Sequence, residues 1–434
     1  MNMSSKTISF QREIPIRHEV DVCIAGGGAA GVAAAVAAAR AGAKVFLGEA
    51  TGCFGGLGTA GLVPAFCGVG DGMRVMGGTF CHEILKAMDI PEGAYAREFS
   101  YIDAEKLKRV YDEIIAASGC IFALEVRLAA VECENGTIKS AIFTECGDDS
   151  LFAVNAKVFI DATGNGDLAA WAGADFAIGN AQGIVMPSTL CTAWANIEWE
   201  KYDRSQLFDL LLQAIDDGVF SLNDWHHSGM FPVGKGIAGG NFGHIYDLRA
   251  DKTASRTAGW LDIRKRTAEF QTFYNRYVPG FQRAELVATA ALMGVRECRR
   301  ITGDYVLTVD DFKNKARFDD EIGQFAYGVD IHPLNDTKAE FERFQREFYG
   351  NLRYKAGECY GVPYRVLIPA KLKNCLTAGR CVSTDQPMEA SIRVMPGCFL
   401  TGYAAGTAAA LAAGNGDVRK ITAAEIRNVM GQEE

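Results

Sequence analysis

Three glycines spaced Gly26-x-Gly28-x-x-Gly31, an acid eighteen positions later at Glu49, and scattered sets of arginines and histidines carry most of the chemistry open to this sequence of 434 residues. Glycines at that spacing clear a turn of side chains. The first permits a tight turn, the second lets the backbone approach a pyrophosphate, and the third brings a helix close to a strand. Free N–H groups and the positive end of the helix dipole then hold the anion. An acid ending the next strand accepts hydrogen bonds from ribose hydroxyls, charge-assisted contacts of about 1.5–3 kcal/mol. The set predicts a bound dinucleotide, and by itself it does not separate a nicotinamide from a flavin.

The cationic and titratable side chains lie far downstream. Arg296, Arg299 and Arg300 fall within about one helical turn, close enough to clamp a carboxylate or phosphate. The same cluster also suits a charge network that supports a cofactor through Glu297. His226, His227, His244 and His332 are candidate proton carriers because imidazole titrates near neutrality, although the ordinary role of each is a hydrogen-bonded structural one. No pair of them has metal spacing with a third ligand, so no catalytic metal is expected.

These groups need a scaffold. Residues 20–50 read strand, glycine turn, alanine-rich helix and strand, a nucleotide-binding half-domain. Residues 101–119 carry Leu107, Val110, Tyr111 and Ile114 at helical spacing, and Asn135-Gly136 between alternating runs predicts a type I′ hairpin in an inserted β-meander. Residues 158–162 read as a buried strand ending in a glycine turn. From about Met186 to Gly357 tryptophans, histidines and charged helices replace the glycine turns, which return after residue 373. The expected fold class is α/β: a discontinuous Rossmann-like dinucleotide-binding domain, residues 1–185 and 358–434, with the β-meander inserted, and an α+β substrate or cap domain, residues 186–357.

Composition sets limits. Hydrophobic residues at 49% and charged residues at 22% describe a globular protein, and the net charge of -9 argues against a general nucleic-acid surface. Thirteen cysteines without a Cys-x-x-Cys read as mostly reduced core residues. The first nineteen residues lack an apolar signal region, so a cytoplasmic location is expected. The alanine-rich segments 29–41 and 398–413 are shorter than the roughly 20 residues of a membrane span.

After Glu49 the sequence continues into a second glycine pair, Gly55-Gly56, where a simple nicotinamide dehydrogenase would enter its next helix. Here it resembles the FAD-dependent oxidoreductases of the glutathione-reductase/fumarate-reductase flavoprotein superfamily, and more closely the bacterial FAD-dependent oxidoreductase family. Its members open with GGGxAG, GE or iE, and a GGxGT-like loop, matched by "GGGAAG", "GE" and "GGLGT". Residues 20–61, 157–173 and 374–413 carry the likeness, about a quarter of the chain.

The resemblance implies an FAD-dependent oxidoreductase with non-covalent FAD, since no histidine lies between Glu49 and Gly61. It implies cofactor contacts from Gly26, Gly28, Ala29, Ala30 and Gly31, and from Glu49 and Ala50. Gly55, Gly56, Leu57 and Thr59 would pass along the diphosphate and flavin, and Val126 would bring backbone groups to the adenine. Ala162, Thr163, Gly164 and Asp167 match a second flavoprotein motif, and Gly379 and Arg380 a late glycine block. Pro396 should begin a helix that Gly402, Ala404, Ala405 and Gly406 let pack closely. That helix start, with Met395, would face the flavin pyrimidine. Arg393, entering it, is the arginine expected nearest the flavin, and Arg393, Arg296 and His332 are the candidate catalytic residues, with Tyr364-Arg365 behind them.

The function expected is hydride transfer between flavin N5 and an unidentified small-molecule substrate. The alternative is a flavoprotein that keeps FAD for electron transfer with a protein partner, and a homo-oligomer is also open. A dehydrogenase using NAD in the first cradle is disfavoured by Gly55-Gly56 and by residues 161–164. A halogenase-type flavoprotein is disfavoured because "WANIEW" bears only superficial similarity to that group's tryptophan motif.

Overall fold

A computed structural model describes residues 8–91, 99–147 and 150–431. Strand β1 (Ile16–Ala25) leads through the glycine turn into helix α1 (Ala29–Arg40) and on to strand β2 (Val45–Gly48). The alanines of α1 favour helix and are small enough to be buried on nearly every side, from Ala29 to Ala38. β1 pairs in parallel with β2, Val22 opposite Val45, and with the long strand Leu151–Asp161, Val22 opposite Val158. Buried on both faces, these strands read as nearly continuous apolar runs.

On the edge away from β1, the strand Leu151–Asp161 is shared between two neighbours. Its first half pairs antiparallel with Thr137–Thr144, and its last residues pair in parallel with Cys375–Thr377, with Cys375 opposite Phe159. The returning chain therefore completes the sheet begun by β1. The meander Arg127–Glu134, Thr137–Thr144 forms as expected, and Asn135 and Gly136 both have positive φ, 50° and 75°. The helix expected at 101–119 spans Ala104–Ser118 and starts on Asp103, whose carboxylate caps Glu105 and Lys106 N–H groups.

A second, antiparallel sheet runs in the order Met230–Gly234, Ile237–Gly240, Thr192–Ala195, Glu285–Thr289. Trp194, Phe242, Phe270, Phe273, Tyr274 and Phe281 form its core with the helix Thr253–Tyr277. The glycines of "VGKGIAGGNFG" lie in and beside this sheet's hairpin. The segment from Leu307 onward packs differently from residues 190–290: Leu307, Phe312, Ile322, Phe325, Phe341 and Phe344 share one hydrophobic cluster with α1 and the closing helix Met395–Ala412. No single helix among the described residues is long and apolar enough to cross a membrane. One bent pair, Gln386–Ile392 and Met395–Ala412, passes by length and composition, and both helices are largely buried in the core.

Candidate functional site

The three glycines of the first turn have different physical reasons to be glycine. A Cβ on Gly26, whose φ is +98°, would lie 2.4 Å from the Ala162 carbonyl oxygen, and one on Gly31 would lie 1.8 Å from the Gly26 carbonyl oxygen. Both are glycine because protein presses on them. A Cβ on Gly28 would meet nothing within 4 Å, and Gly28 has an ordinary φ of -67°. Its missing side chain leaves an open cradle at the start of α1. The N-terminus of α1 has no side-chain cap and no acid in its first turn, as suits an anion held by Ala29, Ala30 and Gly31 N–H groups.

Gly55 lies alongside. Its N–H donates to the Gly27 carbonyl at 2.8 Å, and Gly28 and Gly55 form a parallel bridge, so two glycine loops border the cradle. Thr59 turns its hydroxyl onto the Phe54 carbonyl at 2.5 Å and braces the second loop. Glu49, buried at the end of β2, accepts from Gly27 N–H at 2.6 Å and from Thr51 N–H and Oγ1 at 2.8 Å. Burial raises its carboxyl while these donors oppose the rise. Ala50 follows it on the surface, and Val126 donates its N–H to the Glu49 carbonyl at 2.9 Å. That bond commits the Val126 amide to the protein, a use the sequence did not suggest.

The second and third blocks close over this turn. Asp161, fully buried, accepts from Thr163 N–H at 3.0 Å, Thr163 Oγ1 at 2.7 Å and Ala169 N–H at 2.8 Å, fixing the loop after Ala162. Arg380 donates to the Gly164 carbonyl at 2.7 Å, to Asn165 Oδ1 at 2.7 Å and to the Val295 carbonyl. Gly379, with φ +75°, brings the backbone against Ala30, and its N–H donates to Thr401 Oγ1 at 3.0 Å. Gly402 and Gly406 sit so close to α1 that a Cβ would lie 2.2 Å from the Ala30 carbonyl oxygen or 2.1 Å from that of Ala34. Segments far apart in the chain thus meet around one helix start, and the open face at Gly28, the uncapped α1 and the buried Glu49 fit a dinucleotide such as FAD.

A cavity of about 930 Å³ adjoins these blocks. Leu57 and Met395, from the second glycine loop and the first turn of the closing helix, form part of its wall; Arg296, Arg393, His226 and His332 form another part. The three residues expected to act in catalysis are therefore neighbours. Arg296 donates to Thr189 Oγ1 at 2.6 Å and the Pro187 carbonyl at 2.9 Å; burial and the adjacent Arg393 bring its guanidinium down to about 10. Arg393 caps the helix Gln386–Ile392, donates to the Asp330 carbonyl at 2.9 Å, and keeps its buried Nε without a partner.

The arginine clamp does not form. The segment 291–299 is irregular rather than helical, and its cations diverge. Arg299 pairs with Asp167 at 2.6 Å, which engages that acid with protein. Arg300 pairs with the buried Glu297, whose other oxygen accepts from Met186 N–H at 2.8 Å and Gln386 Nε2 at 2.6 Å. Only Arg296 of the three lines the cavity. Spacing within one turn implies a shared face only if the backbone is helical, and here it is not. Arg365 pairs with Asp320 at 2.9 Å away from the cavity, and Tyr364 is buried on the Val418 carbonyl.

Behind the wall, histidines expected singly as proton carriers are joined to two acids, Asp224 and Asp330, that sequence reasoning missed. His244 Nε2 is 2.8 Å from His332 Nδ1, and His244 Nδ1 is 2.8 Å from Asp224 Oδ1. Asp330 Oδ2 is 3.7 Å from His332 Nε2 and 3.8 Å from Arg393. The one local clue was Asp330-x-His332, which in extended backbone puts both side chains on one side. Burial pushes the His226 imidazole down to about 4, assisted by His244. His227, pushed down to about 3 by burial, bonds Tyr274 in the second core.

The sequence profile described as FAD dependent oxidoreductase matches residues 21–430. No curated protein matches the chain. Among solved structures, the chain is similar to the geranylgeranyl bacteriochlorophyll reductase-like protein of Thermoplasma acidophilum, at 15% identity and TM-score 0.50 over 95% of this chain and 83% of that one. It is similar at 11% identity and TM-score 0.45 to the flavin-dependent brominase Bmp2, over 92% and 81% of the two chains. A p-nitrophenol 4-monooxygenase of Pseudomonas putida follows at 12% identity and TM-score 0.39, over 66% and 71%. At these identities the first likeness speaks for the fold alone. The profile match runs from the glycine cradle through the cavity walls to the C-terminal helix, and the chain belongs to the FAD dependent oxidoreductase family, with FAD as its cofactor.

Proposed function

We propose that this enzyme oxidises or reduces a small molecule held in the cavity of about 930 Å³, within the glutathione-reductase/fumarate-reductase superfamily of flavoproteins. FAD, when bound, supplies a two-electron centre that exchanges hydride at N5. Gly28, the N–H groups of Ala29 and Ala30, and the Gly55-Gly56 loop hold its diphosphate, and Glu49 is the acid for its ribose. Residues 1–185 and 358–434 build that half, and residues 186–357 contribute much of the substrate side. Thirteen cysteines without a disulfide agree with a reducing, cytoplasmic setting.

The observation that carries this reading is the cavity itself. Leu57 and Met395, one from each glycine-rich block, share its wall with Arg296, Arg393 and His332. A substrate there would meet the guanidinium groups of Arg296 and Arg393, the latter with an unpartnered buried Nε, and the imidazoles of His226 and His332 among other lining residues. Those groups orient an anionic or carbonyl-bearing molecule and manage one proton.

Anaerobic mixing of the purified protein with hydroxy acids, amines, sugars and thiols tests the proposal. One class should bleach the flavin absorbance, and Arg393→Leu should slow that bleaching while FAD stays bound. Colourless protein that takes up no FAD, or unchanged bleaching in the variant, would count against it.

A further inference from the structure

His332 on the cavity wall is backed by two buried groups, His244 and Asp224. Asp224 Oδ1 accepts from His244 Nδ1 at 2.8 Å, and Asp224 Oδ2 accepts the His244 backbone N–H at 2.9 Å, so the aspartate fixes both the ring and its backbone. Asp224 and His244 are nearly inaccessible, with side chains 3% exposed, and neither borders the cavity. With Nδ1 of His244 committed as a donor, its Nε2 can only share a proton with His332 Nδ1, 2.8 Å away. His332 does border the cavity, and its Nε2, the ring nitrogen that His244 does not engage, lies 3.7 Å from Asp330 Oδ2, beyond hydrogen-bond distance.

We infer that Asp224 and His244 are positioning residues that hold His332 with Nε2 as its open, proton-accepting nitrogen and receive the positive charge when a substrate proton arrives there. This rests on the reading that the cavity binds the substrate. In the resting pair His332 Nδ1–H donates to His244 Nε2. When a substrate O–H or N–H bond breaks, its electron pair stays on the substrate and a new N–H bond forms at His332 Nε2. The Nδ1–H bond of His332 then breaks as an Nε2–H bond forms on His244. The cation comes to rest beside the Asp224 carboxylate, and His332 is neutral again with its Nε2–H towards Asp330. Proton donation to a substrate is the same sequence reversed.

The surroundings oppose a charge resting on His332. Arg296, Asp330 and His226 face His332, with Arg393 on the Asp330 side; burial, with Arg296 next, presses its imidazole well below the ordinary value. Around His244 stand Asp224, Tyr246, His226 and Arg266, whose guanidinium donates to the His244 carbonyl at 2.8 Å. Burial alone would raise the Asp224 carboxyl, but His244 outweighs it and holds it well below the usual carboxylate range.

The test uses FAD-loaded protein with ¹⁵N-labelled histidine, followed by NMR from pH 9 to pH 5, with His332→Gln and His244→Gln for assignment. His332 should carry its proton on Nδ1 at the alkaline end and on Nε2 at the acid end, with the imidazolium signature appearing on His244. A cation appearing first on His332, an Nε2 proton on His332 at pH 9, or no change across the range would overturn the inference. These spectra need no substrate, so they stand apart from the cavity assignment. Asp224→Asn should also move the acid limb of flavin reduction down by about one pH unit, an approximately tenfold loss of pair proton affinity, with FAD affinity retained. A superimposable profile would overturn the inference, whereas failure of every substrate to bleach wild type would strike the cavity reading alone.

Discussion

At the scale of single residues, glycine does two jobs in one motif, and the structure separates them. Gly26 and Gly31 are glycine because carbonyl oxygens lie where a Cβ would go, whereas Gly28 is glycine beside open space. Gly28→Ala should therefore leave the fold intact, since its φ suits any residue, and weaken FAD binding by at least tenfold because the methyl group occupies the cradle. Gly31→Ala should instead lower stability by about 1–3 kcal/mol by pushing α1 away from its turn. Chemical denaturation of the apoprotein and titration with FAD distinguish the two. Equal stability losses for both variants would mean that the space beside Gly28 is filled by protein in solution.

At the scale of elements, the closing helix matters as much as the cradle it supports. Gly402 and Gly406 let Met395–Ala412 lie against α1 with the carbonyls of Ala30 and Ala34 in their grooves. Gly406→Ala should cost about 1–3 kcal/mol and also weaken FAD binding, because the helix displaced carries the cradle at its start. A variant destabilised in thermal unfolding yet binding FAD as wild type would show that the strain is absorbed at the other end of α1. These elements were legible because their signals are local: the glycine turn, the alanine helix, Asn135-Gly136, and Pro396 followed by small residues. The shared strand Leu151–Asp161 was legible only as a buried run, since its two partners arrive from segments more than two hundred residues apart. The arginine spacing at 296–300 left two readings open because charge clusters carry no backbone periodicity of their own: the clamp would need a helix, whereas the charge network through Glu297 forms with Arg300. The Asp224–His244–His332 chain was hidden for the opposite reason: its members are 20 and 88 residues apart, on two irregular segments and the short strand His244–Ile245, and only tertiary packing brings them together.

At the scale of the whole molecule, the cavity exists because the two sheets are held in a fixed relation by the segment that joins them. Ala291 and Leu292 donate their N–H groups to the Ala60 carbonyl at 3.0 and 3.1 Å, and Arg299 reaches Asp167. Arg380 is the strongest of these ties, since its one guanidinium binds the Gly164 carbonyl, Asn165 Oδ1 and the Val295 carbonyl, spanning the cofactor loop and the residue before Arg296. Replacing it by Met keeps much of the stem packing and removes all three bonds, two of which leave backbone carbonyls without their partner. Loss of hydrogen bonds from a charged group should cost about 3 kcal/mol. The distinctive expectation is coupling. Arg380→Met should weaken FAD binding and, in protein saturated with FAD, slow reduction by substrate as well, because the loop at 163–165 and the backbone leading to Arg296 are released together. Differential scanning calorimetry, FAD titration and anaerobic stopped-flow measure the three effects separately. If stability falls while both FAD affinity and reduction rate keep their wild-type values, the two halves are aligned by Ala60 and Arg299 without Arg380.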